Sequence, residues 1–132
     1  MNELVKREEP AVLLSDLSIG YDPSFPLVSN ISCSIRSGEM VALVGRNGSG
    51  KSTLIKTVAG LLSPLSGHLM IQNLSHSEIP THRRAMITSF VAAGTSEAPN
   101  LKASELVALG RYPYANWMGS LGQEDFIVIE NA

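Results

Sequence analysis

Cysteine is almost absent: Cys33 is the one cysteine in 132 residues. A lone thiol forms no internal disulfide, which excludes the stapled secreted scaffolds and suits a reducing compartment. Cys33 shares the apolar face of a predicted strand with Ile31 and Ile35, so a small core residue is expected there. Positive charge is not in excess either, since 10 Lys and Arg stand against 12 Asp and Glu for a net charge of −2. A chain of that balance has no basic field, which argues against nucleic acid as the main partner and makes any phosphate affinity local. No apolar run approaches the roughly twenty residues needed to span a bilayer. The opening MNELVKREEP is charged and leads into no apolar segment of signal-peptide type, so export is not expected and membrane attachment would come through partner proteins. His68, His76 and His82 lack metal-ligand spacing, which argues against a zinc site. Repeats and low-complexity segments are missing, and a hydrophobic content of 44% fits one soluble domain with a modest core.

What is present is concentrated in Met40–Leu62, MVALVGRNGSGKSTLIKTVAGLL. The apolar run Met40–Val44 predicts a strand covered on both faces, and Leu54, Ile55, Val58, Leu61 and Leu62 fall on one face of a predicted helix. Between them, Gly45 is followed by Arg46, Asn47, Gly48 and Ser49, then by Gly50, Lys51 and the hydroxyl residue Ser52. This is the phosphate-loop pattern, and each fixed position has a physical task. Gly48 and Gly50 tolerate positive φ, so successive backbone N–H groups can turn inward as an anion nest. Lys51 reaches the β and γ phosphates, Ser52 ligates Mg²⁺, and the helix dipole adds to the attraction for a polyanion. An accidental glycine-rich turn would match these four fixed positions on the order of once in a few hundred chains of this length.

Around that stretch, Leu13, Leu17 and Ile19 alternate as in a half-buried strand, and Asp22–Pro26 reads as a turn. Leu27–Arg36 alternates again, which predicts an antiparallel hairpin. Beyond the helix, Ser63, Pro64, Ser66 and Gly67 break the chain, and His68–Ile71 predicts a strand with His68 facing solvent. Ser75–Arg84 predicts a short helix and Ala85–Ala93 a strand. Gly94–Asn100 is expected to be a loop, Ala103–Leu109 a helix with Glu105 supporting its first turn, and Gln123 the start of a final helix.

With these motifs assigned, the sequence resembles the N-terminal half of an ABC-transporter ATP-binding subunit, nearest to importers of iron-siderophore, haem and cobalamin type. LSIGYD at Leu17–Asp22 is similar to the segment bearing that family's adenine-stacking aromatic. GRNGSGKST at Gly45–Thr53 is similar to its phosphate loop, and ELVALGRYPY at Glu105–Tyr114 to the entry of its helical subdomain. The resemblance implies an α/β fold: an incomplete P-loop NTPase core with an N-terminal antiparallel β hairpin and the start of the helical subdomain. Residues 1–93 would form the β subdomain and phosphate loop, and 94–132 the helical start. It also implies ATP and Mg²⁺ as cofactors. Tyr21 would stack on adenine, Lys51 hold the β and γ phosphates, Ser52 bind Mg²⁺ and Thr53 contact the α phosphate. Implied partners are transmembrane permease subunits, a second ATP-binding subunit in a homodimer and, indirectly, a substrate-binding protein, with the chain cytoplasmic and peripheral on the membrane. Arg111, Tyr112 and Tyr114 read equally as a packed helix end or as a partner-docking group.

Two departures qualify the resemblance. By count, the family's glutamine between its subdomains falls near Ala93, where this chain reads VAAGTSE and offers only Thr95 or Glu97 as polar substitutes. The signature, the acidic magnesium-binding strand with its catalytic glutamate, and the switch histidine are not found in this stretch, so no catalytic residue is identified. The family's phosphate-loop strand lies beside that acidic strand, and Met40–Val44 is therefore expected to show an unpaired apolar flank. Besides the front half of a transport ATPase, the sequence admits a non-catalytic nucleotide-binding or interaction fragment. A small P-loop kinase would need further phosphate-clamping bases, and Arg83 and Arg84 are the one close basic pair outside the loop.

Overall fold

The computed structural model describes residues 9–93 and 101–132. Strand β1 (Val12–Ile19) lies between β2 (Val28–Ile35) and β3 (Ser66–Ile71) and is antiparallel to both, while the short β4 (Leu74–Ser75) extends the sheet past β3. The β1–β2 hairpin and the third strand are where the alternation predicted them. The buried phase of β1 is not quite as expected. Leu17 and Ile19 are buried, but their companion is Leu14 and not Leu13.

The reason is a bulge at Asp16, whose φ of 48° is left-handed. Three steps along β1, from Leu14 to Leu17, span two along β2, from Cys33 to Ile31. The Asp16 N–H donates to Ser32 Oγ at 2.9 Å, and Gly67 of β3 lies so close that a Cβ there would stand 2.3 Å from the Asp16 carbonyl oxygen. The bulge shifts the alternation by one and so keeps Leu14 and Leu17 on one face. The β3–β4 turn uses Gln72 and Asn73 at φ 50° and 63°, the left-handed pair of a two-residue hairpin. Asn73 also donates through Nδ2 to the Glu9 carboxylate.

Leu14, Leu17, Ile19, Leu69, Ile71 and Ile79 make the buried apolar core of the first unit. Helix α1 (Lys51–Val58) packs on β1 and buries Thr53 and Thr57; the Thr57 hydroxyl is satisfied by donating to the Thr53 carbonyl at 2.9 Å. The predicted apolar stripe is only partly covered. Ile55 and Leu61 are exposed and Leu54, Val58 and Leu62 half-buried, because no second layer among the described residues covers them. The helix stops in a left-handed cap at Gly60, with Leu61 N–H donating to the Lys56 carbonyl at 2.9 Å and Gly60 N–H to Thr57 at 3.0 Å.

Three further expectations are corrected. Met40–Val44 is not a strand: it pairs with nothing among the described residues, and Met40 and Val44 are 100% and 90% exposed. A strand's backbone bonds are made to a neighbour, and here no neighbour is present; the expected unpaired apolar flank is what the segment shows. Cys33 is exposed, since β2 is an edge strand whose Ile31 and Ile35 are themselves only half-buried. Ala85–Ala93 is not a strand. Its first residues belong to helix α2 (Thr81–Ile87), which starts after Pro80, and Thr88, although extended at φ −134°, pairs with no strand among the described residues.

The chain divides between Ile79 and Pro80 into two compact units. In the second, α2 packs on a 3₁₀ turn (Tyr112–Tyr114), and α3 (Ala103–Leu109) packs on α4 (Gln123–Glu130). Both α3 and α4 follow the sequence expectation. Glu105 closes the first turn of α3 by accepting the Lys102 N–H at 2.8 Å, as its position implied. The expected loop Gly94–Asn100 lies outside the described residues.

Candidate functional site

Gly45–Thr53 runs from the unpaired apolar segment into the first turn of α1, and its shape follows from its glycines. Gly48 and Gly50 have φ of 80° and 91°, left-handed values that a side chain resists. The turn is closed by the Ser49 N–H donating to the Arg46 carbonyl at 3.2 Å, and a Cβ at Gly45 would meet Ser49 Oγ at 3.0 Å. Gly50 is buried and leads directly into α1. Leu54 N–H is the first intrahelical donor, bonding to the Gly50 carbonyl at 2.8 Å. Among the described residues, the N–H groups of Lys51, Ser52 and Thr53 donate to nothing else in the chain, the usual state of a helix's first turn.

Lys51 folds back over the loop and donates through Nζ to the carbonyls of Gly45 at 2.8 Å and Arg46 at 2.6 Å. One ammonium group, three free helix-terminal N–H groups and the exposed Ser52 hydroxyl thus stand at one end of α1. That donor set fits an anion of several oxygens with a bound divalent cation, since donors hold the oxygens and a hydroxyl completes the cation's shell. Arg46, Asn47 and Ser49 are exposed along the same loop, whereas Thr53 is 5% exposed and its carbonyl accepts from Thr57.

Tyr21 follows the buried end of β1 and is exposed at 70%. Its turn is built by Ser24 N–H donating to Asp22 Oδ1 at 2.8 Å and Phe25 N–H to the Asp22 carbonyl at 3.0 Å, and is closed by Leu27 N–H to Ile19 at 2.8 Å. Leu27 and Val28 then lie over the phosphate loop: a Cβ at Gly50 would be 2.7 Å from Val28 Cγ2 and 3.5 Å from Leu27 Cδ2. Sequence reasoning missed these two. No local signal marks a strand residue that touches a loop beyond the next turn.

In the second unit Arg111 donates to Asp125 Oδ1 from Nε at 2.8 Å and from Nη2 at 2.6 Å, while its guanidinium lies 3.9 Å from the Tyr114 ring centre. The packed-helix-end reading of Arg111 is the one the structure bears out. The Gly122 N–H, donating to Asp125 Oδ2 at 2.9 Å, and then Arg111 hold the Asp125 carboxyl below its ordinary value. Tyr112 and Tyr114 are largely exposed. Ala93 is exposed too, while its polar neighbours Thr95 and Glu97 lie outside the described residues. Among the described residues no three His, Cys, Asp or Glu side chains are gathered to hold a metal ion by themselves.

The profile of the ABC transporter family matches residues 28–128. The chain belongs to that family. The ABC chain is 32% identical over 122 residues to the probable siderophore transport system ATP-binding protein YusV of Bacillus subtilis, covering 92% of this chain and 44% of that protein. It is 35% identical over 128 residues to the high-affinity zinc uptake system ATP-binding protein ZnuC of the same organism, covering 92% of this chain and 51% of that one. The ABC chain thus spans about half the length of the curated relatives it matches. Among solved structures, a bacterial Atm1-family ABC exporter with ATP bound aligns with a TM-score of 0.53 at 26% identity, over 61% of this chain and 14% of that chain. The fold is accordingly an incomplete ABC ATPase core: the antiparallel sheet, the phosphate loop with α1, and helices beyond it.

Proposed function

We propose that this chain is the phosphate-loop half of the ATP-binding component of an ABC importer and that it binds Mg-ATP through Gly45–Thr53. The observation that carries this reading is the left-handed pair Gly48 and Gly50 leading into free N–H groups at the start of α1, with the Lys51 ammonium drawn over the loop. The loop amides and Lys51 take the β and γ phosphates, Ser52 takes Mg²⁺, and Tyr21, exposed on its turn, stacks on adenine. Thr53 is too buried to offer its hydroxyl, and its contribution at the α phosphate is its backbone N–H.

The similarity to YusV supports a siderophore-type substrate, within the wider class of iron-siderophore, haem and cobalamin, ahead of the zinc suggested by ZnuC. In this reading residues 1–93 are the β subdomain and loop, and 94–132 begin the helical subdomain. The chain works in the cytoplasm against permease subunits in the membrane and pairs with a second ATP-binding subunit across the nucleotide. Among the described residues no helix is long and apolar enough to cross a membrane.

Calorimetric titration with Mg-ATP tests the site. Wild type binds, and Lys51→Ala binds more weakly by about 1.5 to 3 kcal/mol, the worth of a charged hydrogen-bonding group. Equal affinities for the two proteins would overturn the assignment.

A further inference from the structure

The geometry points to Val28 as a positioning residue of the phosphate loop, a role that rests on the nucleotide-site reading above. Gly50 must hold φ 91° for the loop to turn into α1, and its backbone is buried. What buries it comes from another element. Val28 is the first residue of β2, and its Cγ2 fills the space a side chain at Gly50 would need, at 2.7 Å from that Cβ position; Leu27 Cδ2 and Cγ stand beside it at 3.5 and 3.7 Å. A loop glycine has the widest conformational freedom of any residue, and Gly48 of the same loop has nothing within 4 Å of its Cβ position. Freedom at Gly50 is therefore limited by the valine packed against it.

Val28 is itself held firmly. It lies opposite Ile19, which is fully buried at the end of β1, and the Leu27 N–H is bonded to the Ile19 carbonyl at 2.8 Å. Gly20 lets the two strands close here, since a Cβ on it would stand 3.0 Å from the Leu27 nitrogen and from Leu65 Cδ1. The core strand thus fixes β2, and β2 fixes the loop. The same strand end carries Tyr21, so one anchor point serves both the adenine side and the phosphate side. Preorganised donors bind more tightly than donors that must be ordered by the ligand, and removing the buttress should appear as lost affinity at the phosphate end.

The test titrates the full chain with Mg-ATP and separately with Mg-pyrophosphate, which engages only the loop. Val28→Ala should weaken both by about the same factor, on the order of tenfold. Val28→Thr, which keeps a branched side chain of the same shape, should bind as wild type. Leu13→Ala, a half-buried position of the same sheet, controls for general loss of stability and should leave both affinities unchanged. Unaltered binding by Val28→Ala, while Lys51→Ala loses it, overturns the positioning role alone; weakening by Leu13→Ala equal to that of Val28→Ala also overturns it, because the effect is then one of sheet stability. Absence of binding by wild type would instead overturn the nucleotide-site reading.

Discussion

Arg111 and Asp125 set the charge chemistry of the second unit, and they do so across a turn. The Asp125 carboxylate accepts from Gly122 N–H on one oxygen and from the Arg111 guanidinium on the other. Both interactions favour its ionised form, Gly122 first, and its value falls below the ordinary 3.8. The unfolded chain then takes up the proton before the folded one does. The contribution of Asp125 to stability is therefore complete above pH 3.8 and is lost as pH falls below that value through the native one. Thermal melts followed by circular dichroism should find Asp125→Asn less stable than wild type near neutral pH, with the difference closing under acid conditions; a difference that persists at low pH contradicts the assignment. Little of this was legible beforehand. The cap from Glu105 to Lys102 was readable because it spans three residues of one helix start, whereas Arg111 finds Asp125 only once α4 folds against α3.

Among the elements, Met40–Val44 bears most directly on behaviour in solution. Its five residues are apolar, carry no proline, and form no backbone hydrogen bond among the described residues. Open backbone edges with apolar side chains are templates for pairing with another chain. Sedimentation velocity at rising concentration should show this chain self-associating, and Val41→Lys, which sets a charge on the open edge, should shift it toward monomer. A sharply melting, strictly monomeric wild type would contradict that expectation. The apolar run of Met40–Val44 was legible by itself, whereas its unpaired flank was expected only through the family resemblance, because periodicity reports which faces are apolar and says nothing of whether a neighbour exists to bond. The same limit explains α1, whose apolar stripe was legible while the extent of its cover was not.

For the molecule as a whole, binding and hydrolysis separate. Phosphoryl transfer needs a positioned water and charge placed around the γ phosphate, beyond a cradle for the ground state. Six carboxylates are engaged elsewhere: Glu9 with Asn73, Glu39 with Arg36 N–H, Asp16 with Ser32, Asp22 with Ser24, Glu105 with Lys102 and Asp125 with Arg111. Purified 132-residue chain should bind ATP yet release phosphate far more slowly than about 1 per second, the low end of ordinary enzyme rates; Lys51-dependent turnover near that rate would refute this. The sequence by itself determined the phosphate-loop turn, the start of α1 and the Glu105 cap, because the φ range open to a glycine and the reach of a side chain to its own backbone are local properties. Tertiary structure alone decided the bulge that buries Leu14 instead of Leu13, the exposure of Cys33 and the valine that closes over Gly50. Each of those depends on what a distant part of the chain brings alongside, and burial and strand pairing are properties of two surfaces, never of one.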